Sequence, residues 1–411
     1  MLRRIHVGDF KLGEDEKKAI TEVVESGRIS EGTKVRDFER EWAKFVGTGY
    51  AICVNSGTSA LIAGLTALRY YAHQSQELKI RNENPKKIIT TPITYIATSN
   101  AIVLSGYEPV YVDVDIETFC ITPDSIRSYL EKVEDPTTYF AIVPVHLMGF
   151  PCDMDEINKI AKSYGLYVIE DAAQAHGTIY KGKRTGSLSI LSIFSFYIAH
   201  NIQAGEMGAV NTNEKEIWRL VGKLKANGRL CDCYICKRSE GKCPKMLSYM
   251  GDDDFDPRFT HDMVGYNFKT MEFQAALALA QLQRVEWIIQ KRRENVRYLN
   301  EGLDGFSDIL QLPKYDNNIS YLAYPVIIKN PSKISRKKLR HELEKNGIET
   351  RPLFGCIPTQ QPAYAHLYKT YKGKLPNAEY IGSNGFYIGC HQYLNDDDLA
   401  YVIKIFKDIL R

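Results

Sequence analysis

Apolar residues recur at three- and four-residue spacing over Glu14 to Val24, Ser59 to Tyr71 and Thr98 to Leu104, and each stretch predicts a helix. Between them lie short apolar runs, Lys87–Thr90, Pro109–Val114, Phe140–Val145 and Leu166–Glu170, rich in β-branched residues and ending in polar or turn residues. Such runs read as strands buried on both faces of a parallel sheet. Their alternation with helices, from about residue 14 to 285, predicts a sheet covered by helices, with ligands at the carboxyl ends of the strands. The segment Asn227 to Asp262 breaks the rhythm with Cys, Gly, Lys and Asp, and reads as a long irregular insertion (227–262). A long helix is expected from Met271 to Tyr298, followed by a mixed region to Arg411.

Composition narrows the class. The 411 residues are 44% hydrophobic and 25% charged, an ordinary globular balance with enough chain for two domains. The 53 basic and 50 acidic side chains leave +3, which implies no broad field for nucleic acid. No run approaches the ~18 apolar residues of a membrane span. Met1 to Phe10 carries two arginines with no apolar stretch behind them, so a secretory signal is not expected, and a cytoplasmic enzyme is. The nine cysteines then read as thiols or metal ligands rather than disulfides. Cys53, Cys120, Cys152, Cys356 and Cys390 stand singly, as small core residues do, whereas Cys231, Cys233, Cys236 and Cys243 crowd together.

Three segments carry candidate chemistry. Asn55-Ser56-Gly57-Thr58-Ser59-Ala60-Leu61 follows the apolar Tyr50–Val54, and a small-residue turn opening a helix suits a phosphate, or is a plain helix cap. In Val168-Ile169-Glu170-Asp171-Ala172-Ala173-Gln174-Ala175-His176-Gly177, an acid ends a buried strand. Such a carboxylate can keep a pyridinium nitrogen protonated, and a helix-capping Asp looks the same. Phe194-Ser195-Phe196-Tyr197-Ile198-Ala199-His200-Asn201 precedes Gly205-Glu206-Met207-Gly208-Ala209, and by itself His200 is an ordinary histidine.

In order and spacing these segments resemble the DegT/StrS-type sugar aminotransferase family, over nearly the whole chain. Thr91 to Asn100, Pro144 to Gly149, Gly265 to Lys269 and Leu375-Pro376-Asn377-Ala378-Glu379 extend the match. The resemblance implies the aspartate-aminotransferase-like α/β fold, fold type I of the pyridoxal-phosphate enzymes. A large, mainly parallel sheet domain (1–285) and a smaller C-terminal α+β domain (286–411) are expected. It implies a homodimer with shared active sites, binding pyridoxal or pyridoxamine 5′-phosphate and a nucleotide-sugar substrate. Gly57, Thr58, Ser59 and Ser195 would hold the cofactor phosphate, with Asn267 reaching it from a neighbouring subunit. Tyr95 would stack on the pyridine, Asp171 would pair with its nitrogen, and Gln174 would bond its hydroxyl.

The departure is at residue 200, where the family has a lysine that forms a Schiff base and this chain has His200. An imidazole forms none, but it moves protons, and its ordinary pKa of about 6.5 suits a general base. The exchange is the mark of the 3-dehydratases of deoxysugar pathways, of the colitose and ascarylose type. In that branch the histidine takes a proton from C4′ of pyridoxamine phosphate and the sugar's C3 hydroxyl leaves. The ascarylose-type enzyme also carries a [2Fe–2S] centre, and Cys231 and Cys233 match two of its ligands. Ala173 stands where its distant ligand would be, so the set Cys231, Cys233, Cys236 and Cys243 reads as an Fe–S site, a zinc site or free thiols. An Fe–S centre would imply a reductase partner. A sugar aminotransferase and a catalytically silent cofactor-binding protein stand as the alternative functions.

Overall fold

The structure is a computed structural model that describes residues 3–74, 86–231, 233, 241–243, 256 and 259–411. Strands β1 (Tyr50–Val54), β2 (Lys87–Thr90), β3 (Glu108–Tyr111), β4 (Tyr139–Val143) and β5 (Tyr167–Asp171) belong to one large sheet. A short ribbon, β6 (Ile179–Tyr180) and β7 (Lys183–Arg184), precedes the last two members, β8 (Leu191–Ser195) and β9 (Gly208–Thr212). The seven-stranded order is β1-β9-β8-β5-β4-β2-β3. All neighbours are parallel except β9, which runs antiparallel to both β1 and β8. β4 and β9 are buried at every residue, and β4 accordingly shows an apolar run with no alternation.

Helix α1 (Glu14–Glu25), α2 (Thr33–Val46) and α3 (Gly57–Gln74) come from the N-terminal third, and α3 is buried along most of its length. α4 (Ala97–Leu104), α5 (Pro123–Leu130), α6 (Met154–Tyr164) and α7 (Lys215–Leu224) follow. The helix expected over Met271 to Tyr298 is two helices, α8 (Glu272–Leu282) and α9 (Val285–Leu303). Arg284 leaves helical geometry (φ −116°, ψ 19°), and its guanidinium pairs with Glu16 of α1. Apolar periodicity runs across a two-residue break without a change of phase, so the pattern alone gave one helix. Glu272 explains the turn into α8: its carboxylate accepts the N–H groups of Gly32, Lys34 and Val35 at 2.8, 2.9 and 3.0 Å, where α2 begins.

A second sheet, wholly antiparallel, is built from β10 (Leu310–Gln311), β11 (Tyr324–Ile328), β12 (Arg351–Pro352) and β13 (Gly385–Ile388), in the order β10-β11-β13-β12. The N-terminal segment crosses to it, with Ile5 N–H on the Gly347 carbonyl and Glu349 N–H on the Ile5 carbonyl, both 2.8 Å. The insertion leaves and re-enters at one point: Leu230 N–H donates to the Thr260 carbonyl (2.8 Å) and Asp262 N–H to that of Gly228 (3.1 Å). Gly228 has φ +71°, and a Cβ there would lie 1.9 Å from the Met263 carbonyl oxygen, so no other residue fits. Among the described residues no helix is long and apolar enough to cross a membrane.

The carboxyl end of β5 is fixed by a buried carboxylate. Glu170, fully buried, accepts Gly186 N–H (2.7 Å), Leu188 N–H (2.8 Å) and Ser189 Oγ–H (2.9 Å). Its fourth partner is His146 Nε2 at 3.0 Å. His146 Nδ1 accepts Cys152 N–H (3.1 Å), so the ring proton sits on Nε2 and the imidazole is a neutral donor to Glu170. Replacing Glu170 by Leu strands the buried Gly186 N–H and His146 Nε2–H and the half-buried Leu188 N–H, while Ser189 Oγ–H keeps the Leu191 carbonyl (2.8 Å); at about 1–3 kcal/mol each the expected loss is about 3 kcal/mol or more. Denaturant unfolding checks this; a loss under about 1 kcal/mol would contradict it.

Candidate active site

The carboxyl ends of β1, β5 and β8 meet a cavity of about 680 Å³. Gly57, Thr58, Tyr95, Asp171, Gln174, Ser195 and His200 all line it, so seven of the nine expected residues converge. Gly57 opens the 18-residue α3, which presents free N–H groups and the positive end of its dipole. A Cβ on Gly57 would fall 2.5 Å from that of Ser195, so the glycine lets the helix start abut the strand end, an arrangement that suits a phosphate. Ser59 does not line the cavity; its N–H bonds Ser56 Oγ (3.1 Å) and closes the turn. Asn267 does not line this chain's cavity either, and its backbone bridges to Ala226.

Asp171 is buried, with Thr98 Oγ–H donating to Oδ2 (2.8 Å) and Ala173 N–H to Oδ1 (3.3 Å). Burial raises its pKa, and the Thr98 and Ala173 hydrogen bonds oppose the rise. A buried carboxylate facing a cavity suits a cationic nitrogen there. Gln174 Oε1 is taken by Met148 N–H (2.9 Å), which leaves the Nε2 hydrogens to donate to an acceptor in the cavity. Met148 holds a left-handed φ of +55°, strain of the kind found at sites that must direct a backbone group. Tyr95 is 62% exposed at the cavity wall, its ring centroid 6.3 Å from that of Phe354. Helix start, buried carboxylate, amide and exposed ring together fit a pyridoxal-type phosphate.

His200 Nδ1 lies 2.7 Å from the Ser195 carbonyl oxygen. A carbonyl only accepts, so the proton is on Nδ1, and Nε2 carries the lone pair. Among the described residues Nε2 makes no hydrogen bond. Burial lowers the His200 pKa to about 4; the Ser195 hydrogen bond opposes this, and Arg292 adds to it. The ring is part-exposed, and water at that edge offsets some of the shift. The expected 6.5 is therefore corrected downward: the imidazole is neutral, and a base, throughout the neutral range.

The segments Ile348 to Gln361 and Phe386 to Gln392 reach the same cavity through Arg351, Phe354, Gln361 and Tyr387. Arg351 is held by Glu349 Oε1 (3.0 Å from Nε), whose Oε2 accepts Val7 N–H (2.9 Å). Neither Thr98 nor Arg351 is marked by spacing or periodicity; both lie in segments noticed for other reasons. The metal expectation finds no support. Among the described residues no three His, Cys, Asp or Glu group to hold an ion, so Cys231, Cys233 and Cys243 do not converge, and Cys236 lies outside the described residues. Nearness in sequence does not bring thiolates together, and Ala173, at the place of the distant ligand, lines the cavity instead.

A parallel sheet with one antiparallel intruder, a phosphate cradle and a strand-end Asp define the aminotransferase-like fold of type-I pyridoxal-phosphate enzymes. A profile of the DegT/DnrJ/EryC1/StrS aminotransferase family matches residues 11–407, and the chain belongs to that family. It is 34% identical over 397 residues to a dTDP-4-dehydro-2,6-dideoxy-D-glucose 3-dehydratase of Saccharopolyspora spinosa, covering 96% of this chain and 84% of the relative. It superposes on an Escherichia coli GDP-4-keto-6-deoxy-D-mannose-3-dehydratase with bound hydrated PLP at TM-score 0.81, with 28% identity, 98% of this chain and 100% of that one. It also superposes on Helicobacter pylori PseC, an aminotransferase of pseudoaminic acid biosynthesis, at TM-score 0.82, with 25% identity and 99% of both chains.

The depressed His200 pKa has a stability consequence of definite sign. The unfolded imidazole titrates near 6.5 and the folded one near 4, so between those values the unfolded chain binds the extra proton. His200 therefore opposes folding as pH falls through that window and costs nothing above it. His200→Asn should lose less stability than the native chain between pH 7 and pH 5, measured by denaturant unfolding. A steeper loss in the variant would contradict the assignment.

Proposed function

We propose that this chain removes the C3 hydroxyl of a nucleotide-linked 4-keto-6-deoxyhexose, with pyridoxamine 5′-phosphate as cofactor and His200 as the base. The observation that carries this is the imidazole in the lysine's place, with its proton tied to Ser195 and its lone pair free. A solved dehydratase relative holds PLP as the hydrate, which accords with a site that has no covalent anchor.

Bound pyridoxamine phosphate supplies an amine that condenses with the 4-ketone and a ring that takes up electron density. Gly57, Thr58 and Ser195 grip its phosphate, and the Tyr95 ring covers the pyridine. Asp171 keeps the ring nitrogen protonated, and Gln174 Nε2 donates to the ring oxygen. His200 Nε2 would take the proton from C4′ and hand it to the departing C3 hydroxyl, which leaves as water; the electron pair of the C4′–H bond would replace that of the broken C3–O bond, so pyridoxamine phosphate would be the reductant and end at the aldehyde level. Arg351 stands on the sugar side of the cavity. Asn267 serves the cavity of a second copy of the chain, which makes the active form a homodimer. Residues 1–285 form the cofactor-binding domain and 286–411 the smaller one.

Transamination is the second reading, favoured by the likeness to the PseC aminotransferase. Incubation with pyridoxamine phosphate and nucleotide-linked 4-keto-6-deoxyhexoses, read by mass spectrometry and NMR, separates the two. Loss of the 3-hydroxyl is expected. An amino sugar would overturn the dehydratase reading, and tight cofactor binding without turnover would overturn both. His200→Asn should bind the cofactor as before and lose about 100-fold or more in rate.

A further inference from the structure

A base with no covalent tie to its cofactor must be aimed by the protein alone, and an error of about 1 Å in aim can cost about 100-fold in rate. His200 sits on the loop from Phe196 to Met207. Its neck is closed by Phe196 N–H on the Met207 carbonyl and Ala204 N–H on the Phe196 carbonyl, both 2.8 Å. Its far side is held by amide side chains that never reach the cavity. Gln281, on α8 and 1% exposed, accepts Gln203 N–H at Oε1 (3.0 Å) and donates from Nε2 to the Gln203 carbonyl (3.0 Å). Gln203, fully buried, turns its own Nε2 back to the Ile198 carbonyl (2.5 Å), two residues before His200. On the opposite side Asn201 Nδ2 donates to the Ser320 carbonyl (3.1 Å).

Burying neutral amides costs free energy unless they are hydrogen-bonded, and apolar side chains would fill the same space without that cost. We propose that Gln281 is a positioning residue for His200: its two-way bond to the Gln203 backbone, passed on through Gln203 to Ile198, fixes the direction of the Nε2 lone pair. The role of His200 as base is the reading proposed above, on which this inference rests.

The groups packed around His200 are His176 (ring centroids 5.9 Å apart), Tyr197 (6.1 Å) and Arg292, and Asp171 and Glu206 line the same cavity. The acidic residue of α8, Glu272, is engaged at the start of α2, and Gln281→Leu adds no charge, so that variant acts through geometry.

The test is Gln281→Leu, with Gln281→Glu as the variant that keeps the acceptor for Gln203 N–H. In full-length protein with 15N-labelled histidine, the native His200 should show one protonated and one bare ring nitrogen. Gln281→Leu should average the two signals and lower kcat about 10- to 100-fold with KM within about twofold. Gln281→Glu should recover part of both. A Gln281→Leu chain with unchanged nitrogen signals and kcat, whatever its melting temperature, would overturn the proposal. If Gln281→Leu does not fold, Gln203→Met breaks the link to Ile198 alone and is read the same way. The nitrogen signals need no turnover, so a native chain that fails to dehydrate refutes the function while the clamp is still decided.

Discussion

The hydrogen bond from His200 Nδ1 to the Ser195 carbonyl is the interaction on which the rest of the site depends. Ser195 ends β8 between β5 and β9, beside Gly57 at the start of α3. One residue thus lines the cavity beside the Gly57 turn with its side chain and fixes the His200 tautomer with its backbone. β8 pairs with β5 as far as Ile193 and with β9 through Ser195, so the imidazole is tied to a residue of the sheet. With a lysine in that place, covalent attachment would set the geometry. With histidine, the carbonyl chooses the tautomer and the fold must supply the aim.

The same economy runs through the neighbouring strand end. Glu170 and Asp171 are consecutive carboxylates pointing to opposite faces, as successive strand residues do. Glu170 turns inward and is satisfied by four donors, whereas Asp171 turns to the cavity with Thr98 and Ala173 for company. One acid holds the strand, and the other is left for a ligand.

Much of this was legible in the sequence. Lys87–Thr90 is a strand at the residues expected, and the expected helices at Glu14, Ser59 and Thr98 begin within two residues of their observed starts. Those elements have strong local signals: apolar runs, caps and small-residue turns. The antiparallel β9 is not among the expected strands, because Gly208–Thr212 (GAVNT) is too short and too poor in apolar residues to stand out as one. The α8–α9 break was hidden by continuous periodicity. Within the site, Gly57, Asp171 and His200 were found through motif order, whereas Thr98, Arg351 and Gln281 act by tertiary proximity that no local pattern encodes. The downward shift of the His200 pKa and the failure of three described cysteines to converge are likewise products of packing and chain path, not of residue type.

In the proposed reaction His200 Nε2 receives the proton from C4′ of the cofactor. Pyridoxamine phosphate deuterated at each prochiral C4′ position in turn, mixed with a 4-keto sugar nucleotide and followed by mass spectrometry, tests it directly. Deuterium should be released to solvent from one position with the native chain and retained with His200→Asn. Equal release from both proteins would contradict it.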